Sequence, residues 1–516
     1  MSKKPELWKN VFLILVVLIL VNLLNHSPDL VKAIDQPKGK WYTGQASWFD
    51  PWDINFYAGV IGWGRRNGIL FENIYDTQTH SGILIYSFYT LIGKLSSPFR
   101  FSNISVFHLG AFISSFALAA TIWWFIKIFL KDEIEKQAVF ILLFLGGGLG
   151  WLFFPKIVLP DVGQPGFTLA NTFQRPHEAV SFILMLASLG NFWQAIIYKK
   201  KTFLFWGSLW FFLMLFFHPY NSIIFGIIFL CFGFYWLFKT ESADFFKVLI
   251  LAGIVTGIYY FLIGRTLLTN PSLSGLTSQV QYSFPLVQSI LGWGILFPLI
   301  LATFFFKKKN DKIIFFIIWF VSHWLITYLP VGFQRSLARG LWIPAAILAI
   351  KGAKEISRKL KWDYSLIVGF LLVSASFSTF FMTFKRLAES PENRWIYLTQ
   401  EEGKIIDYLG RHGNDEEGVL ASYRIANIIP AHTSKRVWVG HMFETPQAEK
   451  RLTETYRFFA GKMEAAEARN FLKEAKITWI FWGPEEKAIG DLTEFPFKTL
   501  VEPIEENKVV GLYRVK

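Results

Sequence analysis

Long apolar runs recur along this chain, and lysines or arginines close them at alternate ends. The first run, 11–24, follows Lys3, Lys4 and Lys9 and has no small-residue cleavage site after it, so it is expected to stay as an uncleaved helix with the N-terminus in the cytoplasm. The following runs are 104–129, 138–154, 179–198, 203–217, 222–238, 246–263, 286–306, 313–328, 340–350 and 366–384. Those that would go inward end at Lys127 and Lys131, at Lys199-Lys200-Lys201, at Lys239 and at Lys307-Lys308-Lys309. This alternation predicts a polytopic α-helical membrane protein with about eleven crossings and the C-terminus outside. A shorter run, 83–95, is below the roughly 20 residues that a crossing needs and is expected to lie as a helix at the outer interface. If it crossed, every later lysine cluster would face outward.

From residue 387 the pattern changes. Short β-rich runs at 418–422, 436–440, 478–482 and 509–515 alternate with helical stretches at 447–459 and 463–475. They predict a small external α/β domain over 387–516, after a membrane module of 1–386 whose first external loop spans 25–103. No internal repeat and no low-complexity tract occurs.

Composition narrows the class further: 53% of residues are hydrophobic, 18% are aromatic and only 17% are charged. A net charge of +14 would also fit a nucleic-acid partner, but about +11 of it falls in the short loops expected to face the cytoplasm. The basicity is therefore topological, and no nucleic acid is implied. The single cysteine, Cys231, excludes an internal disulfide. Abundant Trp and Phe read as lipid-facing and interfacial composition. Gly146-Gly147-Gly148 and Gly150 are expected within an apolar helix, where they permit close helix packing. No P-loop or dinucleotide fingerprint is present.

Polar residues that interrupt apolar sequence mark functional candidates, because charge is costly inside a bilayer. One group lies in the first loop: Asp50-Pro51-Trp52-Asp53, Arg65-Arg66-Asn67-Gly68, and Tyr75-Asp76-Thr77-Gln78-Thr79-His80. Others stand at expected outer helix ends: Arg175-Pro176-His177-Glu178, His218-Pro219-Tyr220-Asn221, and Gln334 to Arg339. Asp161 and Arg265 belong to the same side, so all are expected on one face.

This combination resembles the GT-C class of integral-membrane glycosyltransferases, such as the protein O-mannosyltransferases and the aminoarabinose transferase. The likeness lies in the architecture and in Asp53-Ile54-Asn55-Phe56-Tyr57, followed by Asn67-Gly68, where the family has an acidic residue opening a short interfacial helix. His80-Ser81-Gly82-Ile83-Leu84-Ile85-Tyr86 stands where many members have Pro-Pro-Leu-Tyr; here Ser-Gly replaces Pro-Pro, and Ile rather than Glu follows Asp53. The chain looks most like a bacterial branch with Trp-Asp-Ile-Asn and Tyr-x-Thr-x-x-His. The resemblance implies a polyprenyl-phosphate sugar as donor, an acceptor glycan, lipid or protein, and a multi-pass enzyme of the plasma (inner) membrane.

Such a transfer needs a base for the acceptor hydroxyl and cations for the departing phosphate. Asp50 and Asp53 are three apart, on one face of a helix; Asp50, before Pro51, suits an N-cap, which leaves Asp53 as the expected base. Arg335 and Arg339, four apart at an expected external helix start, fit the phosphate, with Arg175 second. Arg65-Arg66 reads as a solvated or headgroup-facing pair. Tyr75, Asp76, His80, His177, Glu178, His218 and Tyr220 complete the candidate substrate-binding set. His80, His177, Glu178 and His218 could alternatively hold a divalent cation, although histidines scattered with few carboxylates argue weakly for a metal. Two rivals from other classes are a lipid or sugar transporter or flippase, which requires polar residues near mid-membrane and broken helices, and a non-catalytic scaffold.

Overall fold

The computed structural model describes residues 4–47, 50–164, 166–169, 175–273, 280–306 and 309–516; the side chains of 4–7 and 267 lie outside the description, as do Lys3, Lys307 and Lys308 of the expected lysine clusters. The chain divides into two compact units. The first comprises 1–28, 111–260 and 280–385, and the second 29–110, 261–279 and 386–516.

The long apolar helices belong chiefly to the first unit. Seven helices among the described residues are long and apolar enough to cross a membrane, and eight if the bent pair Leu286–Trp293 and Leu296–Phe304, which turns by 96°, is one span. The chain is thus a multi-pass membrane protein. Three further expected crossings are the helices Lys201–Phe217, Asp311–Ile326 and Trp342–Leu360, of 17, 16 and 19 residues, which are shorter or more charged. Helix Pro176–Tyr198 packs along Lys201–Phe217, and Leu296–Phe304 along Trp342–Leu360. In the second pair a Cβ on Gly352 would sit 1.9 Å from the Leu299 carbonyl oxygen, so only glycine permits this approach.

The glycine run corrects one expectation. Helix Glu133–Leu145 stops before Gly146, and a single further turn, Gly150–Phe153, follows the break. The interrupted backbone donors are recaptured by a buried carboxylate: Asp161 Oδ2 accepts from the N–H of Gly148 at 2.9 Å, the N–H of Gly150 at 3.0 Å and the Ser378 hydroxyl at 2.6 Å. Burial pushes the Asp161 pKa up to about 6. Gly148 also lies against Gly292, whose carbonyl oxygen would be 2.0 Å from an added Cβ.

In the second unit, β1 (Lys40–Tyr42) pairs antiparallel with β2 (Tyr397–Thr399), tying the first loop to the C-terminal segment. The expected boundary at 387 separates these two stretches. The structure packs them together, because the loop's apolar residues share one core with those of the C-terminal segment. A five-stranded sheet is built from β3 (Gly418–Leu420), β4 (Arg436–Val437), β5 (Ile477–Trp482), β6 (Val501–Glu506) and β7 (Gly511–Val515), in the order β4-β3-β5-β7-β6. The β4-β3-β5 pairings are parallel and the others antiparallel. Alternation along β5 sends Trp479 and Phe481 into the core shared with helix Pro51–Asn67, and Ile480 and Trp482 into a second core with Phe458 and Phe459. The run 83–95 overlaps a ten-residue helix, Ser87–Ser96, too short to span.

Two stability predictions follow from these contacts. Gly148→Ala should lower the melting temperature of the detergent-solubilised protein, by the equivalent of about 1–3 kcal/mol of overpacking; an unchanged melting curve would show that the break has room. In the second unit the His432 ring packs edge-on against Trp41, its Nε2–H donates to the Thr43 carbonyl at 3.0 Å, and burial lowers its pKa to about 4. A depressed folded pKa contributes stability above the unfolded value near 6.5 and loses it as pH falls toward 4, so moving from pH 7 to pH 5 should cost about 1–2 kcal/mol. Thermal melts of His432→Gln should show a smaller acid penalty than the wild type.

Candidate functional site

In the second unit, helix Pro51–Asn67 carries the acidic candidate. Asp50 occupies the N-cap position before Pro51, but its side chain makes no capping bond to the helix backbone. Asp53 sits in the first turn, where the positive end of the helix dipole favours the ionised carboxylate. Its Oδ1 accepts a hydrogen bond from His441 Nε2 at 3.0 Å. The His441 Nδ1 accepts the backbone N–H groups of Phe443 and Glu444, both at 3.3 Å, so the ring proton must sit on Nε2, facing Asp53. His441 escapes sequence reasoning; its one signal is a position directly after the short β-run 436–440.

A buried amide network fixes this pair. Asn427 donates to the Trp52 carbonyl at 3.3 Å and to the Gly440 carbonyl at 2.8 Å, and its Oδ1 accepts from Asn55 at 2.9 Å. Asn427 thereby holds the backbone beside both Asp53 and His441. The Tyr75 hydroxyl donates to the Asn427 carbonyl at 2.8 Å, so Tyr75 braces the site from a fully buried position. Glu444 lies buried and receives the Tyr86 hydroxyl at 2.6 Å; burial raises the pKa of both groups. Asp76 and His80 form a different cluster of this unit, with His80 Nε2 at 2.6 Å and Arg451 at 2.9 Å on the two oxygens of Asp76. Arg265 is exposed.

The first unit gathers a second set. Glu178, fully buried in the first turn of Pro176–Tyr198, is approached by Arg339 at 3.3 Å and Arg175 at 3.7 Å. The His177 and His218 rings stack at 5.9 Å, and His218 in turn meets Tyr220 at 5.8 Å. Burial pushes the His218 pKa well below the ordinary imidazole value, with Arg339, His177 and Arg175 adding to the effect. Arg335 and Arg339 are not on a helix start: Arg335 lies in the 3-10 turn Gln334–Ala338, Arg339 is extended after it, and the next helix begins at Trp342. The turn sends them apart, with Arg335 over the Phe284 ring at 5.1 Å and Arg339 on Glu178. Asp161 is engaged with the glycine break.

His177, Glu178 and His218 offer ligand atoms within 4.8 Å of one another, a spacing that a divalent ion could bridge. Two guanidiniums, of Arg175 and Arg339, also meet that carboxylate, and guanidinium is the side chain whose fork matches a phosphate.

The sequence matches no family model and no curated protein. Solved structures do match in shape. The Archaeoglobus fulgidus oligosaccharyltransferase AglB, in complex with an inhibitory peptide and a dolichol-phosphate, aligns over 99% of this chain and 75% of its own, with 12% identity and a TM-score of 0.56. The same enzyme tethered to an acceptor peptide containing the NVT sequon gives 98%, 74%, 12% and 0.55. ArnT from Cupriavidus metallidurans in the apo state aligns over 89% of this chain and 92% of its own, with 9% identity and a TM-score of 0.52. The chain has the GT-C fold. Within that fold, the first-loop acid and the arginine-rich helix end are each supported by neighbours that the local sequence does not contain.

The Glu178 cluster yields a direct test. Arg339→Met removes the nearer of the two guanidiniums from a buried carboxylate and should destabilise by about 3 kcal/mol, whereas Arg339→Met combined with Glu178→Gln should recover most of that loss. Melting temperatures of the two single variants and the double variant measure the coupling, and additive effects would show that the pair is not one unit.

Proposed function

We propose that this protein is a membrane glycosyltransferase that moves a sugar from a polyprenyl-phosphate carrier to an acceptor on the extracytoplasmic face, inverting the anomeric centre. The observation that carries the reading is Asp53 in the first turn of its helix, hydrogen-bonded to the Nε2–H of His441, in a chain with the GT-C fold. Lysine placement along the sequence supports the cytoplasmic N-terminus and external C-terminus. The dolichol-phosphate bound by the archaeal neighbour supports a lipid-phosphate donor.

The chemistry is a direct displacement. An acceptor hydroxyl attacks the anomeric carbon and its proton passes to Asp53, while the bond from that carbon to the phosphate oxygen breaks and the phosphate leaves with the electron pair. His441 acts as a positioning residue: its Nε2–H keeps the Asp53 carboxylate oriented and moderates its charge. In the first unit, Arg175 and Arg339 supply guanidiniums of the kind that bind phosphate, with His177, His218 and Tyr220 beside them.

The test is release of free carrier from radiolabelled polyprenyl-phosphate sugars by membranes containing the protein, which also supply native acceptors. Asp53→Asn should lower release at least 100-fold, the scale of a lost general base, with the melting temperature retained. His441→Gln should cost less and act on kcat rather than KM. An Asp53→Asn variant as active as the wild type would overturn the assignment.

A further inference from the structure

The second unit contains an open cleft of about 310 Å³ to which the proposed chemistry assigns no role. Its size is at the lower end of small-ligand sites, roughly 300–1,000 Å³. Asp76 forms its buried polar anchor, with one oxygen on His80 Nε2 at 2.6 Å and the other on Arg451 at 2.9 Å. Arg451 is itself locked: it donates to the Trp438 carbonyl at 3.0 Å and lies 4.0 Å from the Trp438 ring centre. Phe471 meets Trp438 edge-to-face at 5.8 Å. These contacts set the polar and aromatic parts of the wall before any ligand arrives.

The charges of the cleft select the ligand class. Asp76 is paired with the Arg451 guanidinium and hydrogen-bonded by His80, and Lys450 lies 3.9 Å from Glu454 one helical turn away. An anionic ligand would meet the carboxylates of Glu454 and Glu474, and a cationic one would meet Lys450 and Arg451. A neutral ligand rich in hydroxyls suits such a wall, because each hydroxyl both donates and accepts. His80, whose Nε2–H is committed to Asp76, keeps Nδ1 as an acceptor for one of them. Trp438, Phe471 and Pro271 offer apolar surface for the C–H faces of a ring.

The geometry points to a carbohydrate-binding cleft that takes one or two sugar units of a neutral glycan. Its use as the acceptor subsite rests on the glycosyltransferase reading, whereas glycan binding itself does not. The cleft engages hydroxyls through His80, Arg451 and Glu454 and stacks the sugar ring against its aromatic edge.

Saturation-transfer NMR on the full chain in nanodiscs tests this, with chitobiose, mannobiose, maltose and lactose at millimolar concentration as probes, and inorganic phosphate and an Asn-Val-Thr tripeptide as competitors. At least one disaccharide should give a signal that weakens at least fivefold in both His80→Ala and Glu454→Ala. The remote surface variant Glu494→Gln should leave it unchanged, and all variants should keep the wild-type melting temperature. No signal from any disaccharide, a signal indifferent to both cleft variants, or displacement by phosphate or by the tripeptide would overturn the proposal. Asp53→Asn separates the two readings: it should lose carrier release and keep disaccharide binding. Wild-type protein that binds the disaccharide through His80 and Glu454 but releases no carrier would leave the cleft standing and remove the transferase reading.

Discussion

Two helices of the second unit approach so closely that only glycine fits at their crossing, and the candidate base depends on that approach. A Cβ on Gly64 would lie 2.3 Å from the Thr90 carbonyl oxygen, and one on Gly93 would lie 2.2 Å from that of Ile61. Helix Pro51–Asn67 is consequently buried continuously from Ile54 to Gly64, sheathed by Ser87–Ser96 and by Tyr423–His432. A helix buried on all sides cannot rotate without breaking its packing. Its first turn is therefore fixed, and Asp53 is presented to His441 from a rigid base.

The polar networks obey the same economy of satisfied groups. Asn427 serves two carbonyls and one amide, which joins the first-loop helix to the segment that carries His441. Asp161 does the reverse of a phosphate-binding loop: a carboxylate of the chain occupies the backbone donors exposed by the Gly146–Gly148 break. An anion-binding turn in an apolar surrounding is thus filled internally and leaves no site there. Around Glu178 the roles are reversed, because the guanidiniums of Arg175 and Arg339 both approach one buried carboxylate.

Side-chain partners also distinguish the two proposed sites of the second unit. Asp53 sits at a helix N-terminus with the His441 Nε2–H on one of its oxygens, which suits a proton acceptor. Asp76 is clamped between a histidine and an arginine, which suits holding a ligand in place rather than taking its proton. The two carboxylates lie within one loop of the sequence, and their different partners give them different work.

The sequence by itself determined the elements that need only local information. Apolar run length marked the helices, seven of which among the described residues are long and apolar enough to cross a membrane, alternation marked most strands of the small sheet, and Asp53 and the Arg175 to Glu178 segment stood out as charge beside apolar sequence. It did not determine that Arg335 and Arg339 turn apart, that the glycine run ends a helix, or that the first loop shares a core with the C-terminal segment. Those outcomes depend on partners distant in the chain: His441 is 388 residues from Asp53, Arg451 is 375 from Asp76, and Arg339 is 161 from Glu178. Periodicity records which face of an element is apolar, whereas which polar side chains meet is decided by how those faces pack. Only the tertiary structure carries that second kind of information.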